Sequence, residues 1–268
     1  MAESVNRADS EVSQDEMTPS NASPPIEVRG FGKSYRGTDA VESLSFEVQG
    51  GQILGLLGPN GAGKTTTLRA LAGILPPSAG QIAVCGFDMV RQPIDAKRCL
   101  AFIPDDPRLF ETLTVWEHLE FIAASYGVTD FEVRAEELLR EASLIEKRNA
   151  LAQELSRGMK QKLAIACAYL HEPKVLLFDE PLTGLDPHSI ERLKRSMVEQ
   201  AQAGAAVVIS SHLLPLIEDQ CTHVLILDRG VCRYKGAVDD VQVLAEQADQ
   251  GSQLQRLFFK LTCENQDE

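Results

Sequence analysis

With 268 residues and 44% hydrophobic content, the chain can build one substantial core with room for a subdomain. A net charge of −13 argues against a dedicated nucleic-acid surface, and no nucleic-acid partner is expected. Six cysteines without a C-x-x-C point to a reducing compartment rather than to disulfides or a metal framework; no leader-like N-terminus and no run near the roughly 20 apolar residues of a membrane span are present.

In chain order, residues 1–24 are polar, poor in large apolar side chains and close on prolines, which predicts a disordered tail. The segments 26–28, 44–48 and Ile53–Leu57 read as strands, separated by the turn-rich 32–38 and by Gly50-Gly51. A helix is expected over 65–75, where Leu68, Leu71 and Leu75 recur at helical spacing. From 113 to about 145 strand signals vanish, and two helix-period stretches break around 127–130, which predicts a helical insertion. The non-alternating runs 175–178, 206–209 and 224–227 suit strands buried on both faces of a mainly parallel sheet. Asp186-Pro187 followed by apolar residues at 190, 193, 197, 198 and 201 predicts a capped crossover helix between the first two of those strands, so the core is α/β.

The chemistry is concentrated in Gly58-Pro59-Asn60-Gly61-Ala62-Gly63-Lys64-Thr65-Thr66, which fits G-x-x-x-x-G-K-[ST] between an apolar strand and a helix. Glycines there let successive N–H groups wrap phosphate oxygens, the lysine neutralises the outer phosphates, and the helix N-terminus adds partial positive charge. Asp179-Glu180 ends the strand at 175–178, and carboxylates so placed can hold Mg²⁺ through water and activate an attacking water. Ser156 is a good N-cap for a helix over 157–170, leaving an outward-facing anion site.

The phosphate loop, Leu155-Ser156-Arg157-Gly158-Met159, Asp179-Glu180, Thr183-Gly184-Leu185-Asp186 and Ser210-Ser211-His212, in this order, resemble the nucleotide-binding domain of ATP-binding cassette (ABC) transporters over residues 26–236. The resemblance implies a P-loop NTPase core with a mainly parallel sheet, an N-terminal antiparallel β subdomain and a helical subdomain near 106–165, all within 25–260, with a flexible end at 261–268. It also implies an ATPase using ATP and Mg²⁺. By the resemblance, residues 58–66 hold the phosphates, with Thr65 and Asp179 on Mg²⁺, Glu180 as general base, His212 on the γ-phosphate and Tyr35 stacked on adenine. Ser156 and Gly158 then meet the triphosphate held by a second ATP-binding subunit, a second copy or a close paralogue, and Asp186 communicates across that pair.

The sequence departs from the family's commoner pattern in two places. Asp105 replaces a glutamine after the strand that precedes the helical insertion; its carboxylate can approach Mg²⁺, or it can cap the turn between Pro104 and Pro107, with Asp106 adjacent. The signature reads S-R-G-M rather than S-G-G-Q, so Arg157 adds a cation. The resemblance further implies a cytoplasmic subunit docked on a separate polytopic membrane subunit near 109–116, where Trp116 belongs either to that groove or to the subdomain core. The single cassette, the absence of an appended regulatory domain and S-R-G-M lean towards an exporter. A soluble ABC-type ATPase of a cluster-assembly complex is the alternative.

Overall fold

The computed structural model describes residues 23–212, 218–244, 258, 261 and 262. The expected tail falls outside the described residues up to 22, and of the expected flexible end only Leu261 and Thr262 lie within them.

β1 (Ile26–Tyr35) and β2 (Thr38–Val48) form a long antiparallel hairpin, followed by β3 (Ile53–Leu57) and α1 (Lys64–Leu71). The expected break across 32–38 is therefore corrected: the strands run through it and turn over two residues. Arg36 and Gly37 both have positive φ, 51° and 85°, the conformation whose twist matches a tight hairpin. α1 is also shorter than expected, because Ala72 and Gly73 close it before Leu75. Next come β4 (Ala79–Val84), β5 (Phe87–Asp88), α2 (Pro93–Arg98) and β6 (Leu100–Ile103). The helical segment supplies α3 (Val115–Tyr126) and α4 (Glu132–Glu141), then α5 (Arg157–Tyr169) leads into β7 (Val175–Asp179). α6 (Pro187–Gln202), β8 (Ala206–Ser210), β9 (His223–Asp228), β10 (Val231–Ala237) and α7 (Val238–Leu244) complete the order.

Two sheets result. One is antiparallel, in the order β2-β1-β4-β5; the other, β10-β9-β3-β8-β7-β6, is parallel except for β10. Every residue of β3, β7 and β8 is buried. Alternate residues serve opposite layers: Ile53, Leu57, Leu176, Phe178, Val207 and Ile209 pack with α3 to α6. Leu54, Leu56, Val175, Leu177, Val208 and Leu225 pack with α1, α2 and the antiparallel sheet. Continuous apolar runs are the price of a sheet covered on both sides.

Because β3, β8 and β7 are neighbours running the same way, their C-terminal ends lie side by side, where an open α/β sheet presents its ligands. Those ends carry the phosphate loop, Ser210 to His212, and Asp179-Glu180. The β9–β10 turn braces the loop from the far side: Gly230 N–H donates to Ala62 O at 3.1 Å, and Glu42 N–H donates to Gly230 O at 2.8 Å.

Candidate ATP site

The phosphate loop is held open by glycine geometry. At Gly63, where φ is 105°, an added Cβ would lie 2.6 Å from Ala40 O, and at Gly58 it would lie 2.4 Å from Leu227 O. Gly63 is also the N-cap of α1 and offers no side-chain acceptor, so the first N–H groups of the helix start uncapped. Pro59, Asn60 and Gly61 form an exposed tip, Ala62 is buried, and Thr65 and Thr66 are half-buried at the helix start.

Lys64 is buried and folds back along its own loop, donating to Gly58 O at 2.7 Å and Pro59 O at 3.3 Å. Its Nζ also lies 3.8 Å from Glu180 Oε1. Burial pushes its ammonium below the usual lysine range, while Glu180 and Asp179 pull the other way. A triphosphate would supply the negative charge that a desolvated ammonium lacks.

Asp179 is buried at the end of β7, and its Oδ1 accepts from Thr65 Oγ1 at 3.1 Å and from Ser210 Oγ at 2.8 Å. The next residue, Glu180, has φ of 48°, a conformation that side-chain-bearing residues adopt at a cost. Its N–H is shared between Ser210 O at 3.2 Å and Ser210 Oγ at 3.1 Å, and its Oε2 accepts from His212 N–H at 3.2 Å and lies 2.8 Å from His212 Nδ1. Lys64, Thr65, Asp179, Glu180 and His212 thus form one connected cluster. Ser210 organises it, touching both carboxylate residues. Ser210 opens the Ser210-Ser211-His212 run, but no local signal marks its part; only the pairing of Asp179 with Ser210 across β7 and β8 reveals it.

A second set assembles at the start of α5. Ser156 Oγ accepts from Met159 N–H at 3.3 Å, as an N-cap does. Gly158 lies against the 183–186 turn, where an added Cβ would be 3.1 Å from Gly184 O. Asp186 caps α6, accepting from Ser189 N–H at 2.9 Å, and its Oδ2 lies 3.5 Å from Lys162 Nζ. The Ser189 hydroxyl and N–H, with Lys162, hold the Asp186 carboxyl well below the usual carboxylate range. Asp105 belongs to this set, since its Oδ1 accepts from Arg157 Nη2 at 3.1 Å. Tyr35 stands apart at the tip of the β1–β2 hairpin, partly exposed, with Lys33 Nζ 5.4 Å from its ring.

Hydroxyl and carboxylate oxygens at Thr65 and Asp179 are the hard donors that Mg²⁺ takes. Among the described residues no group of three or more His, Cys, Asp or Glu forms a self-sufficient metal cage, and a metal held through one carboxylate and substrate phosphates needs none.

Trp116 packs within the helical segment, with its ring 5.7 Å from Phe131 and Arg148 4.1 Å above it. All five cysteines among the described residues are free thiols, and burial pushes those of Cys167 and Cys221 up to about 12.

Comparison with known proteins gives the family of the chain. Residues 41–183 match the family described as ABC transporter. The ABC-type transporter ATP-binding protein EcsA of Bacillus subtilis (strain 168) is 35% identical over 242 residues, 90% of this chain and 97% of that protein. The SkfA peptide export ATP-binding protein SkfE of the same organism is 38% identical over 207 residues, 76% of this chain and 86% of its own length. A solved structure of an ATP-binding subunit of an ABC transporter superposes with a TM-score of 0.83 at 36% identity, covering 88% of this chain and 98% of that one. The chain is therefore a member of the ABC transporter family, an ATP-binding subunit that hydrolyses ATP.

Proposed function

We propose that this subunit couples ATP-driven closure of a dimer to export through a separate polytopic membrane subunit, working at the cytoplasmic face of the cell membrane. The observation that carries the reading is the division of the site residues into two sets on one chain: the cluster of Lys64, Thr65, Asp179, Glu180 and His212, and the Ser156–Gly158 helix start with Asp186. Each set is half of an ATP site, and a two-fold pair of chains completes two.

In this reading residues 58–66 wrap the triphosphate, and Lys64 leaves the Gly58 and Pro59 carbonyls for the outer phosphates. Tyr35 stacks on the adenine. Mg²⁺ would be held by Thr65 and Asp179, and when bound it neutralises charge on the phosphates. Glu180 orients the attacking water and accepts its proton, and its contact with His212 lets the histidine reach the γ-phosphate from the same side. Ser156 and Gly158 of the second copy, or of a close paralogue, cover the γ-phosphate with free helix N–H groups.

Support for export comes from the name of SkfE, a peptide export protein. Support for a docked partner comes from exposed aromatic surface at the start of the helical segment: Phe110 is 55% exposed and meets Phe121 edge-to-face at 5.2 Å. No helix among the described residues is long and apolar enough to cross a membrane.

The test is Glu180→Gln beside Lys64→Ala. The first should bind ATP, stop turning over and run as a dimer on gel filtration with ATP; the second should lose the thermal shift that ATP gives the wild type. A Glu180→Gln protein that stays monomeric and hydrolyses at a near-normal rate overturns the reading. Affinity capture should bring down a polytopic membrane protein, and capture of a soluble scaffold alone would favour the cluster-assembly alternative.

A further inference from the structure

Two of the residues that depart from the family's commoner pattern meet each other. Arg157 and Asp105 stand 52 positions apart, and Arg157 Nη2 donates to Asp105 Oδ1 at 3.1 Å. Arg157 is the first residue of α5, directly after Ser156, so it moves with the helix start. Asp105 lies two residues past β6, the strand whose neighbour β7 delivers Asp179. The stem of Arg157 also crosses the 183–186 turn: a Cβ on Gly184 would meet Arg157 Cδ at 3.3 Å and Nε at 3.4 Å. Gly158 presses on the same turn, and Lys162 reaches Asp186 beyond it. One side chain therefore touches the exit of β6, the start of α5 and the turn before α6.

We propose that Arg157 is a positioning residue that couples the two ATP sites of the dimer. It ties the β6 exit, which flanks a chain's own ATP, to the posture of Ser156, which that chain lends to its partner. The inference rests on the shared-site reading above. Arg157 acts through α5 and through the 183–186 turn, without contacting phosphate itself. Both partners are half-exposed, so the ion pair is a bias of about 2- to 5-fold, the span such a pair supports, rather than a lock.

The experiment measures hydrolysis against ATP concentration for the full chain as wild type, Arg157→Ala, Asp105→Asn, the double variant, and the exchanged pair Asp105→Arg with Arg157→Asp. Wild type should be sigmoidal with a Hill coefficient above 1. Each single variant should bring that coefficient towards 1 and raise half-saturating ATP about 2- to 5-fold, with a smaller change in kcat. The double variant should be no worse than either single, and the exchanged pair should recover the sigmoidal curve. Strictly additive single effects, or a hyperbolic wild type, overturn the proposal. ATP-induced dimerisation of Glu180→Gln separates the two levels. Without that dimer the shared-site reading itself fails; with the dimer present and the variants additive, only the coupling fails.

Discussion

His171 bridges the start of β6 and the end of α3. Its Nε2 lies 3.3 Å from Leu100 O, its ring stacks on Tyr126 at 3.7 Å, and its Nδ1 is buried with no partner. That arrangement suits a neutral ring donating from Nε2; a second proton on Nδ1 would have nothing to meet. Burial accordingly pushes its pKa below the usual histidine value, with the Leu100 carbonyl opposing. A folded state that takes the proton less readily than the unfolded chain loses stability as pH falls below about 6.5 and keeps it above. Thermal denaturation from pH 8 to pH 5 should show wild type losing stability relative to His171→Phe, which keeps the stack but cannot titrate. Parallel pH profiles for the two proteins would reject this account of His171.

At the scale of elements, Ser156 carries two roles that substitution can separate. Ser156→Ala removes the N-cap of α5 and should cost about 1 kcal/mol, a fall in Tm of roughly 2–4 °C for a chain of this size. Ser156→Asp keeps a cap of equal quality and adds a charge the helix start favours, yet it sets a carboxylate against phosphate. Thermal stability should hold or rise while ATPase activity falls more than about tenfold. If activity survives in Ser156→Asp, the serine is a cap and nothing more.

What was legible in the sequence follows from range. β3, the phosphate loop and the Asp186 cap of α6 are written in contiguous residues, and they stand where the pattern put them. The continuation of β1 and β2 through 32–38 was not legible because Gly32 and its neighbours read as a break, whereas pairing with β2 and β4 holds the strand through them. The two-residue β5 and six-residue α2 are too short to show a period. Ser210 beside Asp179 depends on sheet register, and the Asp105–Arg157 pair on two segments meeting; neither has a local signal.

The whole molecule makes a prediction that no single chain can. Ser156→Arg keeps its phosphate loop and spoils the signature it lends; Lys64→Ala does the reverse. Each should be inactive alone, but random pairing of an equal mixture makes half the dimers mixed, each with one intact site. ATPase activity should then recover to at most about a quarter of wild type. Mixing that leaves hydrolysis at the level of either variant, although mixed dimers form, rejects simple sharing of sites.

The brace from Gly230 to Ala62 also bears on how the molecule is made. The phosphate loop is synthesised early, but the backbone that holds its far side, from Leu227 to Gly230, emerges about 170 residues later, a delay of roughly 10–30 s at common translation rates. During that interval the nascent chain carries the nucleotide-binding motif without the wall it leans on. ATP cannot serve as a template for the growing chain, and the ability to bind it should appear late and abruptly, once β9 slots in beside β3.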